Sequence, residues 1–149
     1  MDEHIYKSHN KTLLLYHLVF PAKYRRNIFD EKVDVILKET CIEISERYEI
    51  NFLEIGNDEN HVHFLVQSVL TLSITKIVTI IKSITAREIF SKHKEMRKIM
   101  WGGNIWTSGY YANTVGQYAS KDAIVKYIQN QGREEKYSKL YQGKLNLEL

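Results

Sequence analysis

The feature that most constrains this fold is a polar turn, Gly56-Asn57-Asp58-Glu59-Asn60, set between two apolar, β-branched runs. Residues 50–55 and 61–67 have strand composition, and a connection this short joins antiparallel neighbours. The hairpin lies between two longer stretches of helical period. In 31–48, Val33, Ile36, Leu37, Ile44 and Tyr48 recur at helical spacing, and Asp30 is placed to cap the first turn. In the second stretch, opened by Leu72-Ser73, Ile74, Ile77, Val78, Ile81 and Ile84 make one apolar stripe. Its β-branched content would suit a strand, but its period and length favour a helix.

Residues 11–20 and 109–115 read as two further strands. The first is apolar on both faces, as a central strand should be, and Pro21 ends it because it has no amide proton for a ladder. A last helix over about 121–131 is capped by Ser120 and stopped by Gly132. The order β-α-β-β-α-β-α predicts an α+β fold. It is a ferredoxin-like or RRM-like four-stranded antiparallel sheet with two helices on one face and a C-terminal helix. The first and third strands lie in its centre. The chain is expected to form a single domain over 1–149, with its core at about 11–131. Residues 1–10 are expected to be loosely held, and the charged tail 133–149 reads as a helix that docks on a partner.

Composition narrows the class. The chain has 149 residues, 26% charged and 44% hydrophobic, with a net charge of +3, the balance of an ordinary globular protein that tolerates a polyanionic partner. One cysteine, Cys41, excludes an intramolecular disulfide and fits a reducing compartment. The longest apolar run, 13–20, is broken by His17 and too short to span a bilayer, and the N-terminus does not read as a signal peptide. A cytoplasmic protein is the expectation.

Alternation along 61–67 puts His61 and His63 on one strand face and Val62, Phe64 and Val66 on the other. The apolar face suits the helices, so the imidazoles look out from the uncovered side. Two such histidines are equally what a pair of solvated polar residues looks like. The last helix supplies the reason to read them as ligands: Tyr127 and Gln131, four residues apart, share one side of it. If that side docks on the open sheet face, Gln131 offers an amide oxygen as a third ligand. Two imidazoles and one amide oxygen suit Mg²⁺ or Mn²⁺ bound to phosphate, with zinc the second choice. A tyrosine beside such an ion is a candidate covalent nucleophile, while the plain alternative is a ring that packs helix on sheet.

Four blocks carry a resemblance. They are His17-Leu18-Val19-Phe20-Pro21-Ala22-Lys23-Tyr24-Arg25-Arg26, the motif His61-Val62-His63, the run from Trp106 to Gly116, and Tyr127-Ile128-Gln129-Asn130-Gln131. In this order, over about 11–131, the chain resembles the single-tyrosine (HUH) transposases of the IS200/IS605 family. The resemblance implies that Tyr127 attacks single-stranded DNA and holds its 5′ end as a phosphotyrosine, releasing a 3′ hydroxyl. It implies a divalent metal on His61, His63 and Gln131, DNA hairpins at transposon ends as partner, and a homodimer whose subunits share active sites. Gly116 would be the hinge of the nucleophile helix. Lys23, Arg25, Arg26, Lys82, Arg87, Lys94, Arg97 and Lys98 are then read as phosphate contacts, and Tyr24, Trp101 and Trp106 as platforms for unpaired bases. Asn60 stands where the family commonly has an acidic residue, and Lys82-Ser83 where it usually has Lys-Gly.

Three alternatives stay open. A rolling-circle replication endonuclease shares the chemistry but commonly has lysine where Gln131 stands. A domesticated relative of the transposase would look the same in sequence. A non-catalytic nucleic-acid-binding module would need aromatic residues where the central strands carry His17, His61 and His63.

Overall fold

A computed structural model of the chain describes residues 4–100, 102–116 and 138–139. The chain opens with a small hairpin, β1 (Ile5–Lys7) against β2 (Asn10–Thr12), where loosely held residues were expected. Tyr6 pairs with Lys11 across it, with the ammonium 5.3 Å from the ring centre, and Lys7 forms an ion pair with Glu49. Backbone pairing holds this polar segment, which hydropathy does not register.

The main elements follow the expected order: β3 (Leu14–Pro21), α1 (Glu31–Arg47), β4 (Asn51–Asn57), β5 (His61–Ser68), α2 (Ile74–Lys92), a short α3 (Met96–Ile99), β6 (Tyr111–Val115) and β7 (Ser138–Lys139). The sheet is antiparallel with order β6-β3-β5-β4-β7, so β3 and β5 occupy the interior. β7 adds a two-residue edge to the four expected strands. These two tail residues pair with Ile55 and Glu54 of β4 as strand, not helix. The expected last helix lies outside the described residues, and so do Tyr127, Gln131 and Trp101.

The expected Asp30 cap forms and Ser73 caps α2, while the expected Ser120 cap lies outside the described residues. The Asp30 carboxylate accepts from the Val33 amide at 2.9 Å, and the Ser73 hydroxyl accepts from the Lys76 amide at 3.1 Å. Each satisfies one of the orphan amides of a helix's first turn. The apolar stripes of α1 and α2 then bury against one face of the sheet. Val33, Leu37, Ile44, Ile77 and Ile81 join Leu18, Phe20, Val62, Phe64 and Val66 in one cluster. Cys41 sits in it, fully buried, and burial followed by the nearby Asp34 charge pushes its thiol pKa up, so it stays an inert core residue. On the opposite face Leu15, Leu53 and Leu65 make only a small apolar patch. No helix among the described residues is long and apolar enough to cross a membrane.

Candidate active site

The strand alternation delivers His61 and His63 to the face away from the helices, with ring centres 4.8 Å apart. β3 adds a third histidine. Val19 pairs with His63 and His17 with Leu65, so His17 is the diagonal neighbour of His63 on the same face. His17 Nε2 lies 3.2 Å from His63 Nδ1, and the rings stack at an interplanar angle of 19°. The edge of Tyr111, from β6, meets the His17 ring at 5.9 Å.

Burial sets the protonation of this pair. His17 and His63 are each 3% exposed. Desolvation lowers the pKa of both; His63 falls to about 3, with lesser contributions from His61 and His17. Both rings are therefore neutral at pH 7, the form in which imidazole binds metal. His63 Nε2 is buried with no hydrogen-bond partner among the described residues.

His61 is held differently. Its Nδ1 meets Asn60 Oδ1 at 2.8 Å, and its Nε2 meets Asp58 Oδ2 at 3.0 Å. Asn60 thus contacts the ring from the position where an acidic residue was expected, and a carboxylate reaches it from Asp58 instead. The short turn allows this: the Asp58 amide donates to the His61 carbonyl at 3.0 Å, folding the aspartate back over the start of β5.

A cavity of about 440 Å³ opens over the histidines, walled also by Val19, Pro21, Tyr111 and Arg25. Arg25 belongs to a tight 3₁₀ turn, Lys23–Arg25, in which Tyr24 and Arg25 have φ of 61° and 53°. Two consecutive side-chain-bearing residues in the left-handed region are costly and are found where a fold needs them. The turn is fixed at both sides, because the Ala22 amide donates to the Asn60 carbonyl and the Lys23 amide to the Ile105 carbonyl, each at 2.8 Å. Tyr24 stands 62% exposed, with Lys23 and Arg26 over its ring.

The other basic residues separate into groups. Lys23 and Arg87 line a second groove of about 670 Å³ between α2 and residues 103–108. Arg97 packs over the Phe90 ring at 5.2 Å, and Lys98 and Lys94 are exposed. Lys82 lines the groove as well, but its ammonium faces the carbonyls of Thr107, Gly109 and Ser108 at 2.8, 3.1 and 3.4 Å. Its three protons are used on the loop before β6, which leaves none for a phosphate. The rings of Phe20 and Tyr110 lie 5.4 and 5.2 Å from the same ammonium, and desolvation lowers its pKa.

Trp106 also departs from expectation. It is 6% exposed, its Nε1 donates to Thr85 Oγ1 at 3.0 Å, and it stacks on Phe29. It is a core residue and no platform for bases. Gly116 shows a conformation that needs no glycine: its φ lies outside the left-handed range and an added Cβ would meet nothing within 4 Å among the described residues.

The histidine nitrogens partly fit the divalent ion that the family resemblance implies. His63 Nε2 is a buried atom of the right chemistry without a partner among the described residues, and His61 stands beside it, where a metal would displace Asn60 or Asp58 from one nitrogen. Among the described residues no group of three His, Cys, Asp or Glu side chains is arranged to hold a metal. A metal ion held there would need a further donor. Sequence reasoning set His17 on this face but assigned it no task, and it missed Asp58. Both were legible only as register and turn geometry, not as motif.

Comparison with known proteins agrees with this geometry. Residues 10–131 match the family described as "Transposase IS200 like". The ISDra2 transposase of Deinococcus radiodurans is 29% identical over 122 residues, covering 82% of this chain and 86% of that protein. The transposase of insertion sequence element IS200 from Salmonella typhimurium is 29% identical over 133 residues, covering 87% and 84%. A crystal structure of a candidate transposase from D. radiodurans superposes with a TM-score of 0.69 at 26% identity, over 86% of this chain and 98% of that one. A REP-associated tyrosine transposase bound to a REP hairpin shares the fold, with a TM-score of 0.51 at 13% identity, over 84% and 68%. A match across most of the chain, on a sheet that sets a His-Val-His pair under an open cavity, makes this protein a member of the IS200-like transposase family.

Proposed function

We propose that this protein cuts and rejoins single-stranded DNA at hairpin-marked transposon ends by transesterification. The Tyr127 phenol attacks the scissile phosphorus, losing its proton as the new O–P bond forms. The 3′ oxygen leaves and takes up a proton, and the 5′ phosphate remains on Tyr127. A 3′ hydroxyl from another strand end then reverses the step, so the phosphodiester bond energy is conserved and no nucleotide cofactor is consumed.

His61, His63 and Gln131 would hold the Mg²⁺ or Mn²⁺ ion. When bound, such an ion polarises the phosphoryl oxygens and offsets charge developing in the transition state. Arg25, on the rim of the histidine cavity, is the cation best placed to hold the phosphate beside it. Lys23, Arg26, Arg87, Arg97 and Lys98 would follow the rest of the backbone by charge. A homodimer that shares active sites between subunits completes the reading, with Gly116 as the hinge of the segment that carries Tyr127.

The observation that carries the reading is the buried Nε2 of His63, without a hydrogen-bond partner among the described residues, on a ring that lines with His61 a cavity large enough for a phosphodiester. The test is incubation with single-stranded DNA bearing an end hairpin and Mg²⁺, resolved on a denaturing gel. Wild type should give a protein–DNA adduct, and Tyr127→Phe should give none while still binding the hairpin. An adduct formed by Tyr127→Phe would remove Tyr127 as the nucleophile.

A further inference from the structure

We propose that His17 is a positioning residue for His63: it accepts a hydrogen bond from His63 Nδ1–H and so leaves the lone pair on His63 Nε2 for a cation. The inference rests on the metal reading above and deepens it. A neutral imidazole carries one N–H and one lone pair, and the proton's place is set by the hydrogen bond it makes. The 3.2 Å contact between His17 Nε2 and His63 Nδ1 can run in either direction.

The two directions differ in which nitrogen of His63 keeps its proton. If His17 donates, the His63 proton sits on Nε2, buried with no acceptor among the described residues. If His63 donates, the His17 proton sits on its own buried Nδ1 and His63 Nε2 carries a lone pair, the group a divalent cation needs, so a bound cation selects this direction. At His61, Asn60 Oδ1 and Asp58 Oδ2 face the two nitrogens, and a cation there would displace one of them. His17 is itself fixed, buried on a central strand, stacked on His63 and met by the edge of Tyr111. A ring so constrained can orient a ligand, the task that outer partners of metal-binding histidines perform.

Two measurements test this. Long-range ¹H–¹⁵N correlation spectra of the Mg²⁺-loaded protein read the tautomer directly; His63 should be protonated at Nδ1. Titration with Mn²⁺ alone, followed by calorimetry, compares wild type, His17→Leu and His17→Gln. The leucine variant should bind about 10–100-fold more weakly. The glutamine variant, whose amide oxygen can accept in place of Nε2, should recover to within a few-fold of wild type. Thermal melts of each variant show whether it is folded; if the leucine variant is not, the spectra and the glutamine variant decide. An Nε2-protonated His63, or wild-type affinity in His17→Leu, overturns the role given to His17. A wild-type protein that takes up no Mn²⁺ overturns the metal reading instead, whichever tautomer is seen.

Discussion

On the helix-covered face of β3 and β5, Phe20, Val62, Phe64 and Val66 are fully buried within one continuous apolar cluster. On the other face the same strands present His17, His61 and His63 around a patch of only three buried leucines. The alternation is the same on both sides, yet the first face gains by burying carbon and the second buries imidazole nitrogen. Burying a polar atom without a partner is unfavourable, so the second face gives up stability for a chemical capability. One face should answer to substitution in folding free energy and the other in binding.

The largest effect should come from the covered face. Phe64→Ala should lower unfolding free energy by about 3–5 kcal/mol, read by urea denaturation. A loss no greater than that of His63→Ala would erase the distinction between the faces. The second effect is acid sensitivity of the histidine face. His63 is held at about 3, below its ordinary 6.5, and His17 is lowered too. Between those values the unfolded chain binds a proton that the folded chain does not, so stability falls as pH falls through that window. For His63 the loss by pH 4.5 should be on the order of 2 kcal/mol, measured in chelator. His63→Gln should flatten that part of the curve, and an unchanged curve would show that the ring does not stay neutral.

Smaller effects sharpen the boundary between the faces. Trp106→Phe removes the indole that donates to buried Thr85 and should cost about 1–2 kcal/mol with no change in single-strand affinity. Weaker binding at unchanged stability would return Trp106 to the DNA. The smallest effect separates two cations. Arg25→Ala should reduce the slope of log affinity against log salt by about 0.7, as one lost contact to a single strand requires. Lys82→Met should leave that slope alone, because its ammonium is bound to the carbonyls of residues 107–109. Equal losses of slope would make Lys82 a phosphate contact after all.

Much of this was legible in the chain. Helix period, the Asp30 cap and the polar turn at 56–60 specify elements locally, and a right-handed crossover leaves few ways to assemble them. The facing of His61 and His63 followed from strand alternation alone. The N-terminal hairpin was missed because its strands are short and polar, and the tail because two paired residues leave no periodic signal. Trp106 and Lys82 were misread for a shared reason: aromatic and basic side chains suit DNA and core equally well, and only neighbours distinguish them.

By itself the sequence determined which residues alternate, which helices cap and where the His-Val-His pair points, because these depend on residues a few positions apart. Tertiary structure alone decided that β3 lays His17 against His63, that Asp58 folds back onto His61, and that Lys82 closes on a loop 25 residues away. Such contacts depend on strand register and backbone path, and a change of one residue in register would turn every side chain to the opposite face.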